Sequence, residues 1–107
     1  MPGFVDSKTF GRIMAALRKI WLYSKLRRDT LIRACTGQKY RCNGCKNLFD
    51  RPEIAVDHPE PVIPVEGFDS WDGVVRRLLA PSKMPQVLCK ECHRLKTNKE
   101  NKTRRAK

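Results

Sequence analysis

The segment Cys89-Lys90-Glu91-Cys92-His93, together with Cys42-Asn43-Gly44-Cys45, is the most informative part of this 107-residue chain. Each segment holds two thiols separated by two residues, a spacing that lets both sulfurs bind one tetrahedral ion. The Asn-Gly pair favours a tight turn, which brings the first two sulfurs to one side of the backbone. The sequence therefore predicts a structural Zn²⁺ ion bound by Cys42, Cys45, Cys89 and Cys92.

Other arrangements of the cysteines stay open from the sequence alone. The four thiols can be buried or disulfide-bonded, although their paired spacing and a reducing compartment favour a metal. His93 can also replace one thiolate in a site of three cysteines and one histidine. Cys35 is predicted to be a small apolar helix residue, with substitution as a ligand as the alternative.

The composition predicts one small domain with a strongly basic surface. The chain has 23 Lys and Arg against 11 Asp and Glu, a formal net charge of +12, and 40% hydrophobic residues. A hydrophobic core built from so few apolar residues gives only marginal stability, so a bound metal or another cross-link is expected. The positive charge lies in residues 1–41 and 83–107, and residues 42–82 carry an acidic excess. This distribution indicates a polyanion partner, first of all nucleic acid, with a merely solubilising surface as the alternative.

No apolar run reaches the length of a membrane span, because Arg18 and Lys19 interrupt the best candidate. Residues 1–10 lack the apolar core of a signal peptide. We therefore expect an intracellular protein without a membrane partner.

Residues 1–39 are predicted to form a basic helical extension. Ser7 is a candidate N-cap for a first helix with apolar residues at three- and four-residue spacing from Phe10 to Trp21. A second helix is expected to end near Gly37. Candidate phosphate contacts on this helix and in the C-terminal segment are Arg27, Arg28, Arg33, Lys96 and Lys99, and a solvated face is the alternative for the arginines.

The remaining elements predict an α+β fold. Residues 54–58 have the pattern of a short strand, which Pro59 ends. Asp69 or Ser70 is expected to cap a third helix over residues 71–79, with Val75 on its packed face, and Pro81 to stop it. A final helix is predicted over residues 94–100, and residues 101–107 are predicted to be a basic tail. From Asn98 onward we expect the chain to fray in isolation, with ordering on a polyanion as the alternative.

A second metal site is predicted at Asp57, His58 and His93. An ion that joins the two cysteine pairs draws the strand toward the final helix, so these polar groups converge. The Asp57 carboxylate and the His93 imidazole can bind Mg²⁺ or Mn²⁺ and leave positions for water and phosphate. His58 suits a general base near neutral pH. Consecutive strand residues face opposite sides, so the strand must end or twist at this point.

At these residues the sequence resembles an HNH endonuclease with a ββα-metal core, of the small phage-encoded kind with four cysteines. The resemblance rests on the first cysteine pair, on residues 56–62 and on residues 86–97, which lie within a span of about half of the chain. The order of these motifs is also similar to phage endonuclease VII, whose last cysteine is followed by Asn where this chain has His93.

The resemblance implies hydrolysis of phosphodiester bonds in DNA, with His58 as general base and with 5′-phosphate and 3′-hydroxyl products. It also implies that Asp57 and His93 bind one catalytic divalent ion and that the four cysteines bind zinc. The chain is then a single domain over residues 1–107 with its core at residues 40–100. A phage-encoded protein of this kind is expected in the host cytoplasm, as a homodimer or with another phage DNA-processing protein.

One departure from the family concerns the Asn that HNH proteins often have shortly before the second cysteine pair. This chain has no Asn between Asn47 and Asn98. Where that Asn mainly braces the loop that carries the base, backbone bonds, Asp69, Ser70 or Gln86 can replace it, and where it binds the metal, the site is expected to be weaker. A different class of function also fits the thiols and the basic segments. It is a non-catalytic zinc-ribbon protein that binds nucleic acid or assists DNA packaging, in which Asp57, His58 and His93 are incidental.

Overall fold

A computed structural model describes residues 5–106 as a mixture of helices and short antiparallel strands, which confirms the predicted α+β class. Residues 1–4 and 107, which belong to the predicted extension and tail, lie outside the described residues. The helices are α1 Ser7–Leu22, α2 Lys25–Ala34, α3 Trp71–Leu79 and α4 Lys90–Arg105, with a 3₁₀ turn at Arg51–Glu53. The strands are β1 Cys35–Thr36, β2 Lys39–Arg41, β3 Leu48–Phe49, β4 Ile54–Asp57 and β5 Gln86–Cys89.

The helical extension consists of α1 and α2, separated at Ser24. The Ser24 hydroxyl donates to the Trp21 carbonyl at 2.8 Å and accepts the Arg27 N–H, so it closes one helix and caps the next. The prediction of Ser7 as the first N-cap was wrong. Asp6 is the cap, because its carboxylate accepts the Thr9 N–H at 2.7 Å. None of the helices in residues 5–106 has both the length and the apolar character needed to cross a membrane.

A small three-stranded sheet follows, in the order β1-β2-β3. Helix α2 ends at Ala34, three residues before the predicted end, and the chain turns through Gly37 at a φ of 65°. Cys35 therefore has extended backbone and is exposed, and the prediction that it is an apolar helix residue was wrong.

Strands β4 and β5 pair antiparallel over four residues each, and α4 begins directly after β5. The register places Ile54 opposite Cys89 and Asp57 opposite Gln86. Strand β4 ends at Asp57, one residue earlier than predicted, so His58 is free of the alternation of the strand. This ββα unit positions the predicted site residues.

Helix α4 begins before the predicted residue 94 and continues to Arg105. The segment from Asn98 onward, predicted to fray in isolation, is helical as far as Arg105 in this structure. Lys96 and Glu100 form an ion pair one turn apart, and Arg104 donates to the Ile63 carbonyl at 2.8 Å. The bond of Arg104 anchors the end of the helix on the loop that follows β4, and the ion pair lies within the helix itself.

Helix α3 has the predicted bounds, with Ser70 as its N-cap. Val74 and Leu78 are buried, whereas Val75, predicted on the packed face, is 39% exposed. Arg77 is also buried: it pairs with Asp69 at 2.7 Å and donates from Nε to the Val62 carbonyl. The guanidinium thus holds the proline-rich loop between β4 and α3 in place.

Candidate functional site

The four paired cysteines converge on one point. The sulfurs of Cys42, Cys45, Cys89 and Cys92 lie within 4.8 Å of one another, so they can hold a metal ion. Four thiolates bound to zinc at about 2.3 Å stand about 3.8 Å apart in a tetrahedron, which fits this cluster. Cys42 and Cys89 are buried beside Leu88 and Phe49, so the cluster continues the apolar core.

The cysteine turn, residues 42–47, is shaped to receive this cluster. The Cys42 sulfur accepts N–H groups of Gly44 at 3.3 Å and Cys89 at 3.2 Å. A Cβ on Gly44 would lie only 3.0 Å from the Cys92 sulfur, so the turn needs glycine at this position. Lys46 closes the turn in the left-handed region, at a φ of 69°.

The surroundings of the cluster shift the pKa values of two of its thiols, Cys42 and Cys92, in opposite directions. Burial opposes ionisation of Cys42, but N–H groups of Cys89, Cys45 and Gly44 outweigh it and lower its pKa to about 6. Hydrogen bonds of the Cys92 thiol to Cys89 and Cys42 raise its pKa to about 12. At neutral pH the thiolate is therefore favoured at Cys42, and a cation that binds Cys92 must displace its proton.

Asp57 and His93 come together at the other end of the ββα unit. Asp57 is buried, and its Oδ1 lies 3.6 Å from His93 Nε2. In an octahedron with bonds of about 2.1 Å, adjacent ligands stand about 3.0 Å apart and opposite ligands about 4.2 Å, and the 3.6 Å separation lies between these two values. Within residues 5–106 the cysteine cluster is the one group of three or more such donors, so Asp57 and His93 have no third donor of this kind beside them.

The other oxygen of Asp57 is already in use. Oδ2 accepts from Gln86 Nε2 at 3.1 Å and pairs with Lys96 Nζ at 3.3 Å. Gln86 in turn accepts from the Asn43 side chain at 2.6 Å, so a hydrogen-bonded chain joins the cysteine turn to Asp57. Gln86, one of the residues predicted to replace the missing Asn, lies directly opposite Asp57 in the register of the strands.

His58 is held by groups far away in the sequence. Its Nε2–H donates to the carbonyl oxygen of Leu78 at 2.9 Å, and its ring lies 4.4 Å from that of Trp21, centroid to centroid. A carbonyl only accepts, so in this tautomer Nδ1 keeps its lone pair. The sequence signalled neither Trp21 nor Leu78 as a site residue, because both belong to apolar helix faces. Asp69 and Ser70 were also predicted to brace the loop that carries His58. Asp69 forms an ion pair with Arg77, and Ser70 is the N-cap of α3.

Asp57, His58 and His93 line one cleft, the site cleft, with a volume of about 490 Å³. Arg18 and Arg104 also line it, so cations flank the carboxylate. Lys96, predicted as a phosphate contact, lies inside the cleft in its ion pairs with Asp57 and Glu100. Of the other predicted contacts, Arg28, Arg33 and Lys99 are exposed and Arg27 is half-buried.

Comparison of the chain with protein-family models, with curated proteins and with solved structures gave no match. The resemblance to HNH endonucleases therefore stays a prediction. The α+β class and the four-cysteine cluster are the parts of the sequence-based prediction that the structure confirms.

Proposed function

We propose that this protein is a metal-dependent DNA endonuclease of the HNH type, with weak sequence preference. The supporting observation is that Asp57, His58 and His93 line one cleft of a ββα unit that also carries two cysteines of the metal cluster, Cys89 at the end of β5 and Cys92 in the first turn of α4. Metal-assisted hydrolysis needs side chains that bind the metal and a general base close to it, and this cleft contains two such side chains and a potential base.

His58 acts in this proposal as the general base. The Leu78 carbonyl holds Nε2–H, so the free Nδ1 accepts a proton from the attacking water. The same carbonyl stabilises the imidazolium that forms. The Trp21 ring packs against the imidazole, where it limits rotation and shields that side of the ring from bulk water.

Asp57 and His93 bind the catalytic Mg²⁺ or Mn²⁺ ion. Gln86 and Lys96 hold Oδ2 of Asp57, which fixes the carboxylate and leaves Oδ1 directed at His93. The ion, when bound, stabilises the charge on the scissile phosphate and on the departing 3′ oxygen.

The cysteine cluster has a structural role. Cys92 immediately precedes His93, so a zinc ion at the cluster fixes the first turn of α4 and thereby the imidazole. Four protein ligands leave no open position for water, so hydrolysis takes place at the other site.

Conversion of supercoiled plasmid to nicked and linear forms tests the proposal. Purified wild-type protein should cut with Mg²⁺ or Mn²⁺ and not with an excess of chelator. The His58→Ala variant should retain zinc and bind DNA but not cut. The Tyr23→Ala variant, which changes a 78% exposed aromatic residue, is the control and should cut normally. Cleavage by His58→Ala at the wild-type rate would rule out the assignment of the base.

A non-catalytic nucleic-acid-binding protein is the second candidate function. It is favoured by the ion pair between Lys96 and Asp57, which already compensates the carboxylate charge without a metal. Titration with Mn²⁺, followed by electron paramagnetic resonance, separates the two. The endonuclease binds one Mn²⁺ ion besides zinc and loses it in the Asp57→Asn variant, whereas the second candidate binds none at this site.

A further inference from the structure

A second cleft lies between α2, the cysteine turn and the segment before β5, and we call it the basic groove. Its volume is about 420 Å³. Three cations line it, Arg33 from α2, Arg41 from β2 and Lys46 from the cysteine turn. Neutral polar residues line it as well, among them Thr36, Asn43 and Gln86. The groove therefore has the lining of an anion site.

The charge of the basic groove is not neutralised within the described chain. None of its lining residues in residues 5–106 is acidic, and none of its three cations takes part in an ion pair there. Asp29, one helical turn before Arg33, pairs with Lys25 instead. The site cleft differs, because the carboxylates of Asp57 and Glu100 line it and pair with Lys96.

Two of the cations are held in place by the cysteine turn. Arg41 Nη1 donates to the Lys46 carbonyl at 2.8 Å, and Lys46 Nζ donates to Asn43 Oδ1 at 3.1 Å. Each bond uses only part of the donor capacity, since a guanidinium has five N–H groups and an ammonium three. The remaining donors are available to an anion at a reduced cost in side-chain entropy.

The basic groove adjoins the site cleft. Gln86 lines the groove, and its amide nitrogen donates to Asp57 in the cleft. Pro59 lines the groove as well, and it directly follows His58. A chain of phosphates that enters the cleft can therefore continue past Gln86 into the groove.

We propose that the basic groove binds backbone phosphate of the DNA strand that flanks the scissile phosphate. This inference rests on the proposed function for its ligand and adds a binding subsite on the cysteine turn. Contacts with phosphate carry no base information, so the groove strengthens binding to all sequences alike. Each phosphate bound there displaces counterions and makes the affinity depend more steeply on salt.

The double variant Arg33→Gln/Lys46→Gln tests the inference. Its affinity for a fluorescent DNA duplex, measured by anisotropy without divalent metal, should fall about 10- to 100-fold at about 0.1 M salt, and the slope of log K against log salt should decrease by about 2. The matched control Lys8→Gln/Lys19→Gln removes the same charge from exposed residues of α1 outside both clefts. Its affinity should fall less, with the slope nearly unchanged.

Further measurements distinguish the loss of phosphate contacts from misfolding and from a catalytic defect. Zinc content verifies the fold of the variant, and the charge-conserving Arg33→Lys/Lys46→Arg variant should recover most of the affinity. Hydrolysis of bis(p-nitrophenyl) phosphate, too small to reach the groove, should match that of the wild type. Equal losses in the groove and control variants, or no loss in either, overturn the inference. Absence of hydrolysis by the wild type counts against the proposed endonuclease alone, because the binding arm needs no catalysis.

Discussion

The Nε2 atom of His58 lies 2.9 Å from the carbonyl oxygen of Leu78, twenty residues further along the chain. The bond joins the end of β4 to the last turn of α3 and sets the direction of the imidazole. HNH proteins often have an Asn in the segment before the second cysteine pair, and this chain lacks it. In the proposed enzyme a backbone carbonyl orients the base directly, so the missing Asn leaves His58 fixed.

Replacement of His58 by Ala should lower kcat for plasmid cleavage by about 10²- to 10⁴-fold, the usual contribution of general base catalysis. Added imidazole should restore part of the rate, because the cavity left by the side chain adjoins Trp21 and the Leu78 carbonyl. The control is His93→Ala, whose proposed defect is loss of a metal ligand. Its Mn²⁺ affinity should fall, and imidazole rescue confined to His93→Ala would contradict the assigned roles.

The Gln86→Leu variant should weaken Mn²⁺ binding about 10- to 100-fold, the usual cost of removing a group that orients a metal ligand. The physical reason is loss of the 3.1 Å bond that holds Oδ2 of Asp57. Titration with Mn²⁺ measures the effect, and zinc content should not change. The same substitution at Gln38, which is exposed in the turn between β1 and β2, serves as the control. Equal Mn²⁺ affinities of the two variants would show that Gln86 does not position Asp57.

Loss of zinc should unfold the domain. Structural zinc in small domains contributes about 10–16 kcal/mol, which matches or exceeds the roughly 5–15 kcal/mol stability of a whole domain. Cys42→Ser should therefore abolish the cooperative thermal transition and reduce zinc below one ion per chain. Cys35→Ser is the matched control, because Cys35 is exposed and outside the cluster. A normal melting curve for Cys42→Ser, measured by circular dichroism, is the outcome that disproves a structural role.

Gly44→Ala and Gly11→Ala should change stability in opposite directions. A Cβ at Gly44 meets the Cys92 sulfur at 3.0 Å, whereas a Cβ at Gly11 meets nothing within 4 Å. Ala in the interior of α1 should therefore stabilise the protein by about 0.5–1 kcal/mol. Ala in the cysteine turn should lower both zinc affinity and the melting temperature. Unchanged zinc affinity in Gly44→Ala, measured by competition with a chelator, would refute the close approach.

The ion pair of Asp69 with buried Arg77 should make stability depend on acidic pH. A hydrogen bond from the Arg77 guanidinium lowers the pKa of Asp69 below its usual value. The stabilisation is therefore fully present above the unfolded-state pKa of about 3.9 and is lost as the pH falls through the lower folded-state pKa. The melting temperature of Asp69→Asn should lie below that of the wild type at neutral pH, and this difference should shrink below about pH 4.

Asp72→Asn, on the exposed first turn of α3, is the control for this pH dependence. It should follow the wild-type melting curve far more closely than Asp69→Asn does at neutral pH. A constant difference between wild type and Asp69→Asn from pH 3 to pH 7 would exclude the pair as its cause.

Local spacing was enough to predict the metal cluster and the boundaries of α3. A pair of cysteines three positions apart needs only one turn to direct two sulfurs at one point, and Ser70 and Pro81 mark the limits of the helix by backbone chemistry. Local patterns also indicated Asp57, His58 and His93 as a group, because each adjoins a strand end or a cysteine. Boundaries that depend on distant contacts were predicted less well, as α4 shows: Arg104 holds it to the loop at Ile63.

The partners of the site residues came from packing between distant segments. The contact of His58 with Leu78, the pairing of Asp57 with Lys96 and the convergence of Arg33 and Lys46 all join elements whose separation in the chain leaves no local signature. Residue spacing carries information about geometry over one or two turns of backbone. Beyond that range, the relative placement of helices and strands depends on how their apolar faces fit together, and only the folded chain shows which polar groups then meet.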